Sequence, residues 1–368
     1  MTKLVTLRTP PFSRRVVIVG AGILGASIAW HLQRKGVDVT VVERDKPAAG
    51  TTKDSFAWIN ATFSKLPRHY YELNRQGVAA WRRLEREMHA PPKIQWGGSV
   101  QWYARGREAV QLRDSVERHR QWAYQTRFID EDQLRALVPE IEPGPVAVAA
   151  YSDEEGVLDP VEATHALLED AGVGVQYPCE VTGLVLADGR VEAVVTSNGT
   201  LPADVLVLAC GLGTPRVAAM AGVNVRLIDS PGVLAHTPPQ PRLLPRVALG
   251  PGSHIKQDAS GRIVAGDNFA GSEGLDASVE RGERLLQHAK DYLTRMEMTL
   301  ERVSLGWRVM PVDEYPIVGF AAPECPNLYV VATHSGVTLA ALLGEFAAAE
   351  IVDGVEVEML APYRPSRF

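Results

Sequence analysis

The chain has 368 residues, 46% hydrophobic and 22% charged, with a formal net charge of −6. That length accommodates one large domain or two interleaved ones with a sizeable core. The acidic balance argues against a general binder of phosphate backbones, so nucleic acid is not an expected partner.

Val16 to Val19 is a β-branched run that predicts a parallel strand buried on both faces. Gly20 to Gly25 makes a turn, Ala26 to Lys35 continues as a helix, and Gly36 marks its stop. Val37 to Val42 supplies a second strand and closes a βαβ unit. The apolar stretch Val16 to Trp30 follows Arg14 and Arg15, superficially like a signal peptide. It carries three turn glycines, no small-residue cleavage site follows it, and it falls short of the roughly 20 apolar residues of a membrane helix. The expectation is a cytoplasmic protein with no membrane partner.

Gly20-x-Gly22-x-x-Gly25 gains meaning from its place between a strand and a helix. Gly20 permits the tight turn, Gly22 lets the backbone approach a pyrophosphate, and Gly25 lets helix and strand pack closely, with Ile23 and Leu24 between them. The free N–H groups and positive end of the helix attract the phosphates. Glu43, followed by Arg44, ends the second strand, where a carboxylate accepts both ribose hydroxyls of an adenosine and repels a 2′-phosphate. NADP is thereby disfavoured, while NAD and FAD both remain.

From about Asn60 aromatic and charged residues interleave, with helices expected over Tyr70 to Met88 and Glu108 to Thr126 and a strand over Gly98 to Tyr103. Asp159-Pro160 opens a helix to Asp170, Asp suiting the N-cap and Pro the first turn. Strands follow at Val181 to Leu186, Val191 to Thr196 and Val205 to Leu208, with hairpin turns at Asp188-Gly189 and Asn198-Gly199. The Pro-rich segment Pro231 to Pro251 is read as a separator. Beyond it, antiparallel strands around Ile255 and Ile263 flank the turn Ser260-Gly261, and Leu285 to Arg295 is a helix. Leu328 to Ala332 is a strand, and Val337 to Ile351 an Ala-rich helix. The expected class is α/β with an inserted α+β lobe. A Rossmann-like nucleotide domain would draw on residues 1–60, 145–225 and 305–368, and an interleaved antiparallel-sheet substrate domain on 61–144 and 226–304. Cys179, Cys210 and Cys325 are far apart and suggest neither disulfides nor a metal site, so no metal is expected.

The run VVIVGAGILGASIAWHLQRKGVDVTVVER resembles the FAD-dependent amino-acid oxidase family that includes glycine oxidase, sarcosine oxidase and D-amino-acid oxidase. Three later segments extend the likeness over most of the chain. Ala49 to Ser55 is similar to the hydroxyl-rich stretch with which the family grips pyrophosphate and flavin, which implies roles for Thr51, Thr52 and Ser55. Asp204 to Gly211 is similar to the strand and Ala-x-Gly segment placed against FAD, implicating Ala209, Cys210 and Gly211, with Val181 at the position whose backbone meets adenine. Ala332 to Thr338 is similar to the turn that aims backbone N–H groups and a helix end at the flavin pyrimidine, through His334, Ser335, Gly336, Val337 and Thr338.

Gly306-Trp307-Arg308-x4-Asp313-x2-Pro316 resembles the family's G-x-R-x4-D-x2-P element. The resemblance implies that Arg308 pairs with the substrate carboxylate beside the cofactor, a role that suits the planar guanidinium fork. The family's usual Pro after that Arg is Val309 here, and the second arginine of some glycine oxidases is missing from His334-Ser335-Gly336, which shifts the expectation away from simple glycine. His254, with Lys256 nearby, and Trp307 are candidate substrate contacts, and His334 a candidate for catalysis.

Taken together, the resemblance implies FAD as cofactor and a primary or N-substituted (N-carboxymethyl) amino acid as substrate. Hydride passes to flavin N5, the imine hydrolyses, and oxygen accepts the electrons as hydrogen peroxide. Two alternatives stand beside it. One is an FAD-dependent dehydrogenase or electron-transfer subunit of a heteromeric complex. The other is an NAD-dependent or non-catalytic nucleotide binder, against which Thr51-Thr52 and Ala209-Cys210-Gly211 both count.

Overall fold

Val16 and Ile18 pack into one hydrophobic cluster and Val17 and Val19 into another, so the first strand is buried on both faces as its β-branched run requires. The computed structural model describes residues 14–62, 65–266 and 277–368. Residues 1–13 of the expected first segment lie outside them. The strand Arg15–Val19 pairs in parallel with Asp38–Val42 on one side and Val205–Leu208 on the other. Val175–Gln176 and Cys325–Ala332 extend this sheet in parallel, and Ile317–Ala321 closes one edge antiparallel, giving six strands. One face is covered by the helices Ile23–Arg34, Arg68–Glu87, Pro160–Ala171 and Gly336–Ala348. The last of these is almost wholly apolar and packs between the first helix and the second.

A second sheet of eight strands runs Arg302–Trp307, Pro231–Pro239, Arg262–Gly266, Ser253–Gln257, Val247–Gly250, Ser99–Tyr103, Val148–Ser152 and Thr126–Ile129. Its pairings are antiparallel except between Val247–Gly250 and Ser99–Tyr103. The helix Val279–Lys290 packs on one face and makes a further core with Trp102, Ile255 and Ile263. Val148–Ser152 and Arg302–Trp307 belong to this sheet although they lie within or across the segments expected for the nucleotide side.

Two local expectations are corrected. The helix expected over Glu108 to Thr126 ends at Gln121, because Ala123 takes a left-handed φ of 55° that stops the helical path and Thr126–Ile129 then pairs with Val148–Ser152. The Pro-rich segment is no separator. Pro231, Pro238 and Pro239 stand at the ends of the strand Pro231–Pro239, while Leu234, Ala235 and His236 pair with both neighbouring strands. By contrast, Asp159 caps its helix as expected, accepting from the N–H groups of Val161 at 2.8 Å and Glu162 at 2.9 Å.

Candidate active site

The glycine turn lies at the carboxyl end of the first strand, the usual ligand side of an open parallel sheet. Gly20 holds a φ of +104°, and a Cβ there would come within 2.6 Å of the Ala209 carbonyl oxygen. A Cβ on Gly25 would overlap the Gly20 carbonyl, so helix and turn approach at a distance only glycine permits. Gly22 is the N-cap and brings no capping side chain. Thr52 Oγ1 accepts from the Ile23 N–H at 3.2 Å and lies 3.1 Å from where a Gly22 Cβ would sit. The Ala48 N–H donates to the Ala21 carbonyl at 2.9 Å, which anchors the hydroxyl-rich loop on the turn. Leu24 meets Gly336, at the start of the last helix.

Glu43 is held in place just beyond the strand Asp38–Val42. Its carboxylate accepts from the Ala21 N–H at 2.9 Å and the Asp45 N–H at 3.0 Å, with Arg44 exposed beside it. The Glu43 carbonyl accepts from the Cys179 N–H at 2.7 Å, which draws the start of Val181–Ala187 toward this end of the sheet. Ala209 N–H donates to the Val19 carbonyl, and Gly211 abuts Val309, the neighbour of Arg308. Cys210 is no reactive thiol: burial pushes it up to about 11, against its hydrogen bond with Thr214. Cys325 sits fully buried in the core behind the sheet. The features fit a dinucleotide: a glycine cradle without room for side chains, a helix start capped by no side chain of its own, and an oriented carboxylate.

Beside the hydroxyl-rich loop a cavity of about 230 Å³ opens, lined also by residues of the eight-stranded sheet. Thr51, Ser55, His254, Trp307, Arg308, His334, Ser335, Val337 and Thr338 all line it, so residues more than 280 positions apart in sequence share one wall. Thr51 Oγ1 donates to the Trp307 carbonyl at 2.8 Å and ties the loop to the edge of the large sheet. The Arg308 guanidinium donates to the Pro231 carbonyl at 2.6 Å and lies against Gly232, where a Cβ would sit 2.7 Å from Nη2. Burial, followed by the charge of Arg308, lowers His254 to about 4, and its ring stands edge-on to Phe56 at 4.5 Å. Burial, then Lys65, then Arg308 lower His334 to about 3. Both imidazoles are neutral at physiological pH, so the wall next to Arg308 offers hydrogen-bonding groups without added positive charge. Lys256 lies behind the wall, donating to the Leu158 carbonyl at 3.1 Å, and burial lowers it to about 8.

Sequence reasoning missed Lys65, Tyr70 and Tyr315. Lys65 Nζ donates to Ser335 Oγ at 2.5 Å, and Tyr70 Oη shares that hydroxyl at 2.7 Å. Tyr315 Oη donates to the Leu66 carbonyl at 3.3 Å across the exposed rim. Tyr315 lies within the arginine element, between Asp313 and Pro316, but at an unspecified position of it, while Lys65 just precedes the helix Arg68–Glu87 and Tyr70 lies in its first turn, where no motif marks them. Among the described residues, no cluster of three or more His, Cys, Asp or Glu could hold a metal. No helix among them is long and apolar enough to cross a membrane.

The chain is similar to several known proteins. The chain is 29% identical over 221 residues to 4-methylaminobutanoate oxidase (formaldehyde-forming) of Paenarthrobacter nicotinovorans, covering 59% of this chain but only 27% of that protein. It thus spans about a quarter of that relative's length. It is 25% identical to an opine oxidase subunit of Rhizobium meliloti over 96% of this chain and 97% of that one. The crystal structure of glycine oxidase from Geobacillus kaustophilus superposes with a TM-score of 0.84 at 22% identity, over 96% of this chain and 99% of that one, which establishes the shared fold. The family described as "DAO: FAD dependent oxidoreductase" matches residues 15–350, from the first strand through the last helix. A match of that extent covers most of the chain, and the chain belongs to this family of FAD-dependent oxidoreductases.

Proposed function

We propose that the protein oxidises a primary or N-substituted amino acid at the carbon next to nitrogen. Arg308 carries this reading: a guanidinium braced by the Pro231 carbonyl inside a cavity that the hydroxyl-rich loop also lines through Thr51 and Ser55. Its fork holds the substrate carboxylate and thereby sets the orientation of the reacting carbon. Gly20, Gly22 and Gly25 hold the pyrophosphate and Glu43 the ribose. Thr51, Thr52 and Ser55 grip the pyrophosphate and flavin, and the segments 209–211 and 334–338 border the flavin. Around them the chain divides into a cofactor domain built on the six-stranded sheet and a substrate domain built on the eight-stranded one.

FAD, when bound, takes two electrons from the donor carbon and delivers them to oxygen as hydrogen peroxide. On the donor, a C–H bond breaks as a C=N bond forms, and water then adds to release an oxo acid and an amine. His254 and Trp307 shape the substrate pocket, while neutral His334 adds no further charge beside Arg308 and Lys65. Purified holoprotein mixed anaerobically with glycine, sarcosine, D-amino acids and N-alkylglycines is expected to bleach with at least one of them. Retention of the oxidised spectrum with every one would refute the reading.

A second reading follows from the likeness to the opine oxidase subunit, which covers nearly the whole of both chains. In it the chain works as one member of a complex and passes electrons to a partner instead of oxygen. Slow reoxidation in air with a second chain co-purifying would select it. Rapid peroxide formation by the isolated chain would select the oxidase.

A further inference from the structure

A second cavity, of about 590 Å³, lies between the helix Arg107–Gln121 and the strands Ser99–Tyr103, Val148–Ser152 and Thr126–Ile129 of the large sheet. Along Ser99–Tyr103 the side chains alternate. Val100 and Trp102 enter the core shared with Val279–Lys290, while Ser99, Gln101 and Tyr103 line the cavity on the opposite face. The helix covers only the apolar part of that face, where Ala109, Leu112 and Val116 pack on Tyr103, Val148 and Ala150. The remainder is a row of buried hydroxyls. Ser152 stands directly opposite Ser99 on one neighbouring strand and Thr126 on the other, and all three line the cavity. Hydroxyls withdrawn from bulk water in this way favour a polar occupant in the space above them.

The helix brings cations to the same space. Arg107, Gln111, Ser115 and Arg118 follow one another at helical spacing, share one flank, and all line the cavity. The rise of the helix sets the two arginines about 16 Å apart along its axis. Among the described residues neither guanidinium forms an ion pair, and Arg118 Nε is buried with no hydrogen-bond acceptor. Glu108 also lines the cavity, but it is exposed and turns back to the helix start, with Oε2 3.3 Å from where a Gly106 Cβ would sit. Two unpaired guanidiniums over a floor of hydroxyls, in a chain of net charge −6, select an anion over a neutral guest.

We propose that this second cavity is an effector site for a small organic oxyanion, a carboxylate or a phosphate, held by Arg118 and Arg107 over the row Ser99, Ser152 and Thr126. Lys65 and Leu66 line both cavities, so the two share a wall. On the side of the first cavity Lys65 donates to Ser335 Oγ. An anion in the second cavity attracts the same ammonium from behind and so competes with that hydrogen bond, which carries its presence to the first cavity. The site is separate from Arg308 and does not depend on the amine-oxidising reading.

Titration calorimetry of the holoprotein with succinate, inorganic phosphate and uncharged succinamide tests the site. Succinate or phosphate should bind and succinamide should not, and the tighter anion assigns the group. R118M should weaken that anion about tenfold or more, the scale of one charge-assisted contact, and R118K should recover part of the loss. R308A should leave its affinity within about threefold, which separates this cavity from the first. Flavin content and melting temperature report whether each variant has folded. Binding should also shift the flavin absorbance of the wild type, and K65M should retain the heat but lose the shift. No heat with either anion, an affinity indifferent to R118M, or a loss confined to R308A would overturn the site. Heat without any change in the flavin bands would overturn its effector role. None of these outcomes bears on the amine-oxidising reading, which is decided by anaerobic bleaching.

Discussion

Arg308 and Glu155 illustrate two uses of a buried charge. Arg308 is braced on one side by the Pro231 carbonyl and faces a cavity, so removing it should affect ligand binding more than folding. Arg308→Ala is expected to lower kcat/KM for carboxylated amines by about 100-fold, the scale of losing two charge-assisted hydrogen bonds, with little change in the flavin spectrum. Steady-state kinetics alongside visible spectra would check this. Glu155 is buried and raised to about 7 by desolvation, against the opposing hydrogen bonds from Thr62 and Ser99. Between its ordinary value of 4.5 and about 7 the native state keeps this proton while the unfolded chain loses it, so the contribution to stability falls as pH rises through that window. The loss is on the order of 3 kcal/mol. Urea midpoints at pH 5 and pH 8 should therefore differ less in Glu155→Gln than in the wild type. No motif marks Glu155 for this behaviour, since it is buried by the fold and its hydrogen-bond partners Ala61, Thr62 and Ser99 lie far from it in the chain.

Among the elements, the first βαβ was the most legible, because a β-branched run, spaced glycines and a helical stretch all specify the same local geometry. Gly25→Ala tests how closely that geometry is packed. Its Cβ would overlap the Gly20 carbonyl, so the variant should purify with much less flavin and melt at lower temperature. The helix Pro160–Ala171 was equally legible from its cap. Asp159→Ala leaves two N–H groups without their acceptor and should cost about 1 kcal/mol, measurable by urea unfolding. Legibility failed where long-range pairing overrode local pattern. Thr126–Ile129 reads as the end of a helix until Val148–Ser152 is placed beside it, and Pro231–Pro239 reads as a linker until two partners supply its ladder.

Over the whole molecule, the proposed cofactor site would gather short segments from residues 20–25, 43–55, 209–211 and 334–338, each carried by a different part of the chain. FAD should therefore act as a staple between them. At a free concentration of about 100 times Kd it should add roughly 2.7 kcal/mol of stability, so flavin-depleted protein should melt earlier and recover on adding FAD but not riboflavin.

Residue order alone determined the glycine turn, the carboxylate after the second strand and the arginine element. Each depends on contacts within one strand–turn–helix or on a spacing that survives along the chain. Tertiary structure alone decided which strands enter the large sheet, how the Thr51 loop meets Trp307, and that Lys65 and Arg308 open onto the same cavity. Those depend on desolvation and on pairing between distant segments, which no local pattern encodes.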